Sequence, residues 1–230
     1  MALDLAGLGW AIGVHYNQSA DDARAVVETI VGDGGKAVAL AADLADESAA
    51  ASLIAQCSEA LGTTTLLINN ASVFGKDSLA TATHDSWSAH MAVNLRAPLV
   101  LIQGLVAGLG VGQEMTGNVI NMLDQRVWNL TAEFLSYTTS KAGLWTLTQT
   151  LALACAPRVR VNGIGPGPAL PSKRQSQAQF DAWCETMPLS RGTNPEEICT
   201  AVRFILDSPA MTGQMIALDG GEHLVSTPAS

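Results

Sequence analysis

Residues 118–147 read NVINMLDQRVWNLTAEFLSYTTSKAGLWTL. Val119 to Leu123 is an apolar run of strand length that stops at Asp124, so a carboxylate stands where a parallel strand ends and a ligand crevice opens. After an irregular segment comes Tyr137-Thr138-Thr139-Ser140-Lys141, whose spacing puts a phenol and an ammonium on one helix face. Carboxylate, phenol and ammonium can therefore meet. A phenol titrates at about pH 10 on its own, and a neighbouring cation favours its ionised form. Lys141 is thus expected to draw Tyr137 toward a pKa useful for proton transfer near neutrality. Asp124 has a plainer use as well, as the cap of the turn that follows it.

Two more signals flank this stretch, Asn69-Asn70-Ala71-Ser72 before it and Arg160-Val161-Asn162-Gly163-Ile164-Gly165-Pro166-Gly167 after it. With Tyr137-x-x-x-Lys141 between them, the chain resembles the short-chain dehydrogenase/reductase family along nearly its whole length. The resemblance implies an α/β fold, a doubly wound Rossmann-type parallel sheet with helices on both faces. It implies Tyr137 as the proton donor, with Lys141 tuning it and holding the cofactor ribose. Asn94, in Val93-Asn94-Leu95, matches the asparagine that holds a water between the lysine and bulk solvent, and a purely structural role for a buried asparagine competes with that. Most members carry a serine where this chain has Asp124. The exchange is similar to that in pteridine reductases and bacterial dihydromonapterin reductases, in which an aspartate and the tyrosine assist reduction of a pterin ring. The chemistry suits it, because a carboxylate accepts hydrogen bonds from ring amino and imino groups and can relay a proton to a ring nitrogen. Ser72 stands where glycine is commoner, again as in pteridine reductases. Phe74 matches their aromatic residue that stacks on the pterin, or serves as a loop anchor.

The same resemblance places a cofactor. The residue ending the second strand of a dinucleotide-binding fold selects it: an acid receives the ribose hydroxyls of NAD, and its absence leaves room for the phosphate of NADP. No acid stands in His15 to Ser19. Asn17, Gln18 and Ser19 are the candidate phosphate contacts, Gln18 replacing the arginine of pteridine reductases, and NADPH is the expected cofactor. The plain alternative is a polar turn. Asp43 and Leu44 resemble the pair bordering the adenine ring. Asn70, Ala71 and Ser72 resemble the turn under the cofactor, and Pro166 and Gly167 the turn that makes backbone contacts to the nicotinamide.

Composition fits a single α/β domain over 1–230. With 48% hydrophobic and only 14% charged residues a large core is expected, and a net charge of −9 argues against nucleic acid or anionic membrane as main partner. Cys57, Cys155, Cys184 and Cys199 form no CxxC pair and no metal-ligand spacing, so reduced thiols and a cytoplasmic location are expected. No charged n-region precedes an apolar h-region, and no signal peptide is expected. Leu99 to Val111 is too short a run to span a bilayer and is broken by Gln103 and glycines.

In chain order the patterns predict a helix tail over Ala2 to Leu8, a strand over Trp10 to His15, and a helix from Ser19 as N-cap to about Val31. A strand follows over Lys36 to Ala42, then a helix over Glu47 to Leu61 and a buried strand over Thr65 to Ile68. One long helix is predicted over Trp87 to Leu109, the catalytic helix over Ala132 to Ala156, and strands over Val159 to Ile164 and Met215 to Leu218. These two helices resemble the pair that forms the family dimer, so a homo-oligomer, dimer or tetramer, is expected. Leu170 to Met187, with Lys173, Arg174, Gln175 and Trp183, resembles a variable substrate lid. Asn194 or Thr193 should cap the helix that Pro195 opens, ending at Leu206.

Members of the family begin with a strand and a loop, Thr-Gly-x-x-x-Gly-x-Gly, that brings backbone amides to the pyrophosphate. Neither is evident here, since Gly7-x-Gly9 and Gly108-x-Gly110-x-Gly112 do not follow a strand and open a helix. That strand belongs in mid-sheet. Five inward side chains at roughly 1.5 to 3 kcal/mol each give about 8 to 15 kcal/mol, comparable with the whole stability of a domain, so an N-terminally truncated reductase is the expectation. Three functions stay open: NADPH-dependent reduction of a pterin-like ring, reduction of a ketone or quinone, and an inactive subunit that pairs with a complete one.

Overall fold

The structure, a computed structural model, describes residues 1–110, 115–171 and 175–225. The last glycine of the second decoy, Gly112, and the lid cations Lys173 and Arg174 lie outside the described residues. The chain runs α1 (Ala2–Gly7), β1 (Ile12–Tyr16), α2 (Ala20–Gly32), β2 (Ala37–Ala41), α3 (Glu47–Leu61), β3 (Leu66–Asn69), α4 (His84–Met91) and α5 (Ala97–Gly108). It continues with β4 (Gly117–Met122), α6 (Leu135–Ala154), β5 (Val159–Pro166), α7 (Gln177–Glu185), α8 (Pro195–Leu206) and β6 (Met215–Leu218).

All strand pairs are parallel: β1 with β2, and β3, β4, β5 and β6 in that order. Alternation along the strands sends side chains into two helical layers, which is why the strand interiors are apolar on both faces. Ile120, Met122 and Ile164 pack with Leu5 of α1 and with Ile198, Val202 and Ile205 of α8. Val119 and Val161 face the other way, onto Ile102 and Leu105 of α5 and Ala152 of α6. Leu53 and Ile54 of α3 join Val100 and Leu101 of α5. Helices therefore cover both faces of the sheet.

The sheet is parted. β1 and β3 each have a hydrogen-bonded neighbour on one side only, and between them lies a cavity of about 490 Å³ lined by Ile12, Gly13, Val14, Leu66, Leu67 and Ile68 among others.

Several predicted bounds move. The first strand is Ile12–Tyr16 rather than Trp10 to His15, because Gly9 (φ 90) and the chain end of α1 turn the backbone before Ile12. The predicted helix over Trp87 to Leu109 starts earlier, at His84 behind the Thr83–Ser86 capping box, and contains a π-turn, Ala92–Arg96. Residues 84–108 have the length and hydropathy of a membrane-crossing helix, yet Val100, Leu101, Ile102 and Leu105 are spent inside the protein at 0 to 7% exposure. The catalytic helix starts at Leu135, not Ala132, because Phe134 adopts a left-handed conformation (φ 59) that no helix can include. Ser19 stands at the N-cap position of α2 without a side-chain capping bond. Asn194 caps α8 by accepting from Glu197 N–H at 2.8 Å.

Candidate active site

β4 ends at Met122, and the chain leaves it extended through Asp124. The two carboxylate oxygens of Asp124 divide the work. Oδ1 accepts from the Arg126 N–H at 2.8 Å, capping the 3-10 turn Gln125–Val127, while Oδ2 accepts from the Tyr137 hydroxyl at 2.9 Å and from Arg126 Nη1 at 3.4 Å. The capping role and the site role are thus held by one side chain.

Tyr137 and Lys141, 6% and 3% exposed, share the inner face of α6. Lys141 does not tune the phenol as expected: its Nζ donates to Met122 O at 2.7 Å and stands 5.7 Å from the Tyr137 ring centroid. Burial, then the charge of Asp124 and the bond to it, push the Tyr137 pKa well above that of a free phenol. The nearest charge to the hydroxyl is an anion rather than a cation, and the hydroxyl donates its hydrogen bond to it. Burial lowers the Lys141 pKa to about 8 against the pull of Asp124.

Asn94 comes from the π-turn and is fully buried. Its Oδ1 accepts from Val73 N–H at 2.8 Å and Ser72 Oγ at 3.2 Å, and its Nδ2 donates to Val73 O at 2.9 Å and Ser140 Oγ at 3.0 Å. A side-chain amide has two donors and two acceptor lone pairs, so these four bonds use the whole side chain. Through them Asn94 bolts the loop after β3 to α6.

That loop carries Asn70, Ala71, Ser72 and Phe74, all exposed. Phe74 meets Tyr137 edge-on at 4.8 Å between centroids and stacks on Phe134 at 4.9 Å with 11° between the planes. Further on, Asp77 is buried and accepts from Ser136 N–H at 3.0 Å and from the hydroxyls of Ser136 and Ser86. Buried His90 of α4 closes the same network, Nδ1 donating to Ser86 O at 2.6 Å and Nε2 accepting from Gly75 N–H at 3.2 Å. A ring nitrogen that accepts from an amide carries no proton, which fixes His90 as the neutral Nδ1–H tautomer.

Asn17, Gln18 and Ser19 line one cavity of about 410 Å³ with Tyr16, Asp22 and Ala71. Asp43 is exposed and bonds locally to Ala45 N–H at 2.9 Å, while Leu44 is buried and lines the slot between β1 and β3 together with Asn70 and Ala71. Pro166 ends β5. Gly167 already donates its N–H to Leu218 O at 2.9 Å, so this amide is not free for a nicotinamide carboxamide. A side chain here would put its Cβ 2.8 Å from Asp219 Cα, which is why glycine occupies the position.

Sequence reasoning missed Arg126, Phe134, Asp77, His90 and Glu222. Arg126 was findable, two residues from Asp124 in a turn. Glu222 follows Asp219-Gly220-Gly221, and burial, with Asp124 and Asp219 adding to it against Arg126, raises its pKa to about 7. Nothing local marks the others: Phe134 meets Phe74, and the bonds Gly75–His90 and Asp77–Ser136 span 15 and 59 positions.

Residues 1–223 match the family model described as enoyl-(acyl carrier protein) reductase. Among curated relatives, the 3-oxoacyl-[acyl-carrier-protein] reductase of Synechocystis is 30% identical over 224 residues, covering 96% of this chain and 90% of that one. Among solved structures, FolM alternative dihydrofolate reductase 1 from Brucella suis in complex with NADP superposes with a TM-score of 0.93 at 41% identity, covering 99% of this chain and 92% of that one. A blue fluorescent protein from a metagenomic library, in complex with NADPH, has a TM-score of 0.87 at 27% identity, covering 96% and 91%. The match along almost the whole chain, with Tyr137 and Lys141 buried side by side against the end of β4, makes this chain a member of the short-chain dehydrogenase/reductase family.

Proposed function

We propose that the protein is an NADPH-dependent reductase of a pterin-like ring, taking a dihydropterin to a tetrahydropterin. The observation that carries this reading is the Tyr137 to Asp124 hydrogen bond at 2.9 Å. A carbonyl reductase gains nothing from an anion against its proton donor, whereas a ring bearing amino and imino donors gives that carboxylate a partner. The 41% identical Brucella suis structure, an alternative dihydrofolate reductase in complex with NADP, supports the same substrate class and cofactor.

The residues present fit the dinucleotide. The cavity at Asn17, Gln18 and Ser19 opens at the N-terminus of α2, where backbone N–H groups favour phosphate, and the Ser19 hydroxyl is not committed to capping. Asp22 in the same cavity opposes the extra phosphate of NADP. Lys141 would hold the ribose. When bound, NADPH supplies the hydride. Tyr137 supplies a proton from its hydroxyl to the reduced ring, Asp124 orients the ring and relays protons, and Asn94 keeps the loop carrying Ser72 and Phe74 seated on α6. A further parallel strand, if seated in the slot between β1 and β3, would complete the cofactor side of the sheet. Homo-oligomerisation and a cytoplasmic location go with this reading.

The test is NADPH oxidation with dihydropterins and with a panel of ketones and quinones. Tyr137→Phe should lose about 10² to 10⁴-fold in kcat with NADPH binding still measurable. Turnover of carbonyl compounds alone would hand the site to the ketone and quinone reading, and retained turnover in Y137F would remove Tyr137 from the mechanism.

A further inference from the structure

A flat ring held between two aromatic side chains needs their centroids about 7 Å apart, two contact spacings of ~3.5 Å. Phe74 and Phe134 stand 4.9 Å apart and nearly parallel, so nothing fits between them. The Arg126 guanidinium also lies over the Phe134 ring, 5.0 Å from its centroid, and donates to the Asp124 oxygen that accepts from Tyr137. Phe134 therefore covers one face of Phe74. It does so from a backbone with φ 59, a region where a bulky side chain is strained and which persists only where the surroundings impose it.

We infer that Phe134 is an internal occupant of the stacking place on Phe74 and sets substrate specificity as a gate that a planar ring system must displace. The inference rests on the pterin reading above. A flat heterocycle replaces the lost Phe74–Phe134 contact with its own stack and gives Arg126 a new π face; a small ketone offers neither, so displacement is unfavourable for it. The gate thereby favours heterocycles over the carbonyl compounds that the rest of the family machinery could reduce.

The experiment compares wild type with Phe134→Gly, which adopts a positive φ without strain, and Phe134→Leu, which keeps apolar bulk but not the stack. Dissociation constants for a 7,8-dihydropterin in the presence of NADP, and KM for that substrate and for a cyclic ketone, are measured on each. Both variants should bind the dihydropterin about three- to tenfold more tightly, the worth of one aromatic pair, and the preference for the dihydropterin over the ketone should narrow in both. Weaker dihydropterin binding would make Phe134 a wall of the site, and unchanged binding would remove it from the site; either overturns the inference. Thermal melting shows that each variant folds. If wild type turns over no dihydropterin, the functional reading fails and takes this inference with it, whereas wild-type turnover with unimproved variants sinks the gate alone.

Discussion

The Tyr137 hydroxyl donates a hydrogen bond to Asp124 while the Lys141 ammonium is spent on the Met122 carbonyl, a division that keeps the phenol protonated. Burial and the adjacent anion hold this phenol in its neutral form, so a proton is present on it at neutral pH, although the raised pKa makes it a weaker acid than a free phenol. Glu222 is the other titrating acid nearby. Its carboxyl is raised to about 7 in the folded protein by burial first and by Asp124 and Asp219 next. The unfolded chain releases that proton near the ordinary glutamate value, so between the two the native state binds more protons and loses stability as pH climbs. The penalty is absent at pH 4 and complete above about 7. Glu222→Gln should therefore melt at a higher temperature than wild type at pH 8 and show little difference at pH 4. A gain equal at both pH values would mean that charge is not its cause.

Helix α6 positions the proton donor but cannot cap itself. Phe134 occupies its N-cap with no side-chain acceptor, and Asp77, reaching in from the loop after β3, takes the Ser136 N–H and hydroxyl instead. Burial works against its charge, yet these bonds, with the one from the Ser86 hydroxyl, hold its pKa below the ordinary carboxylate value. Asp77→Ala should destabilise the protein by about 1 to 3 kcal/mol, the cost of leaving buried donors unpaired, read as a lower urea midpoint at unchanged slope. Asp77→Asn, which keeps an acceptor, should lose less; equal losses would mean that the carboxylate acts through charge and not as a cap. This arrangement shows where sequence reading ends. The strand end at Asp124, the Tyr137–Lys141 face and Asn194 before α8 were legible because each signal lies within a few residues of what it acts on. Asp77 and Ser136 are 59 positions apart, and only the packing of α4 on α6 brings them together. Lys141 failed as a tuning group for a related reason: spacing puts it on the face of Tyr137, but spacing does not say that the Met122 carbonyl is nearer than the phenol oxygen.

Across the whole molecule the parted sheet sets the energetics. A cavity of about 490 Å³, charged at ~24 cal/mol per Å³, costs about 12 kcal/mol as an upper bound because the slot is partly open, which rivals the roughly 5 to 15 kcal/mol that holds a domain together. With no strand pairing across it, the β1–β2 unit is tied to the rest by Leu5 and Ile12 packing in one cluster with Ile120 and Ile68, by α3 packing on α5 and by the Asp4–Arg203 ion pair between α1 and α8. A strand seated in the slot would pair the open edges of both β1 and β3 and cover Ile12, Val14, Leu66 and Ile68. We therefore expect that the 230-residue chain, joined at its N-terminus to a short apolar strand and a glycine-rich turn, melts at a clearly higher temperature and binds NADPH more tightly. In native-state hydrogen exchange the amides of Ile12–Tyr16 should move from the fast-opening class toward that of β4 and β5. Should both forms melt together, bind NADPH alike and protect those amides equally, the slot closes on its own and no further strand is needed to complete the sheet.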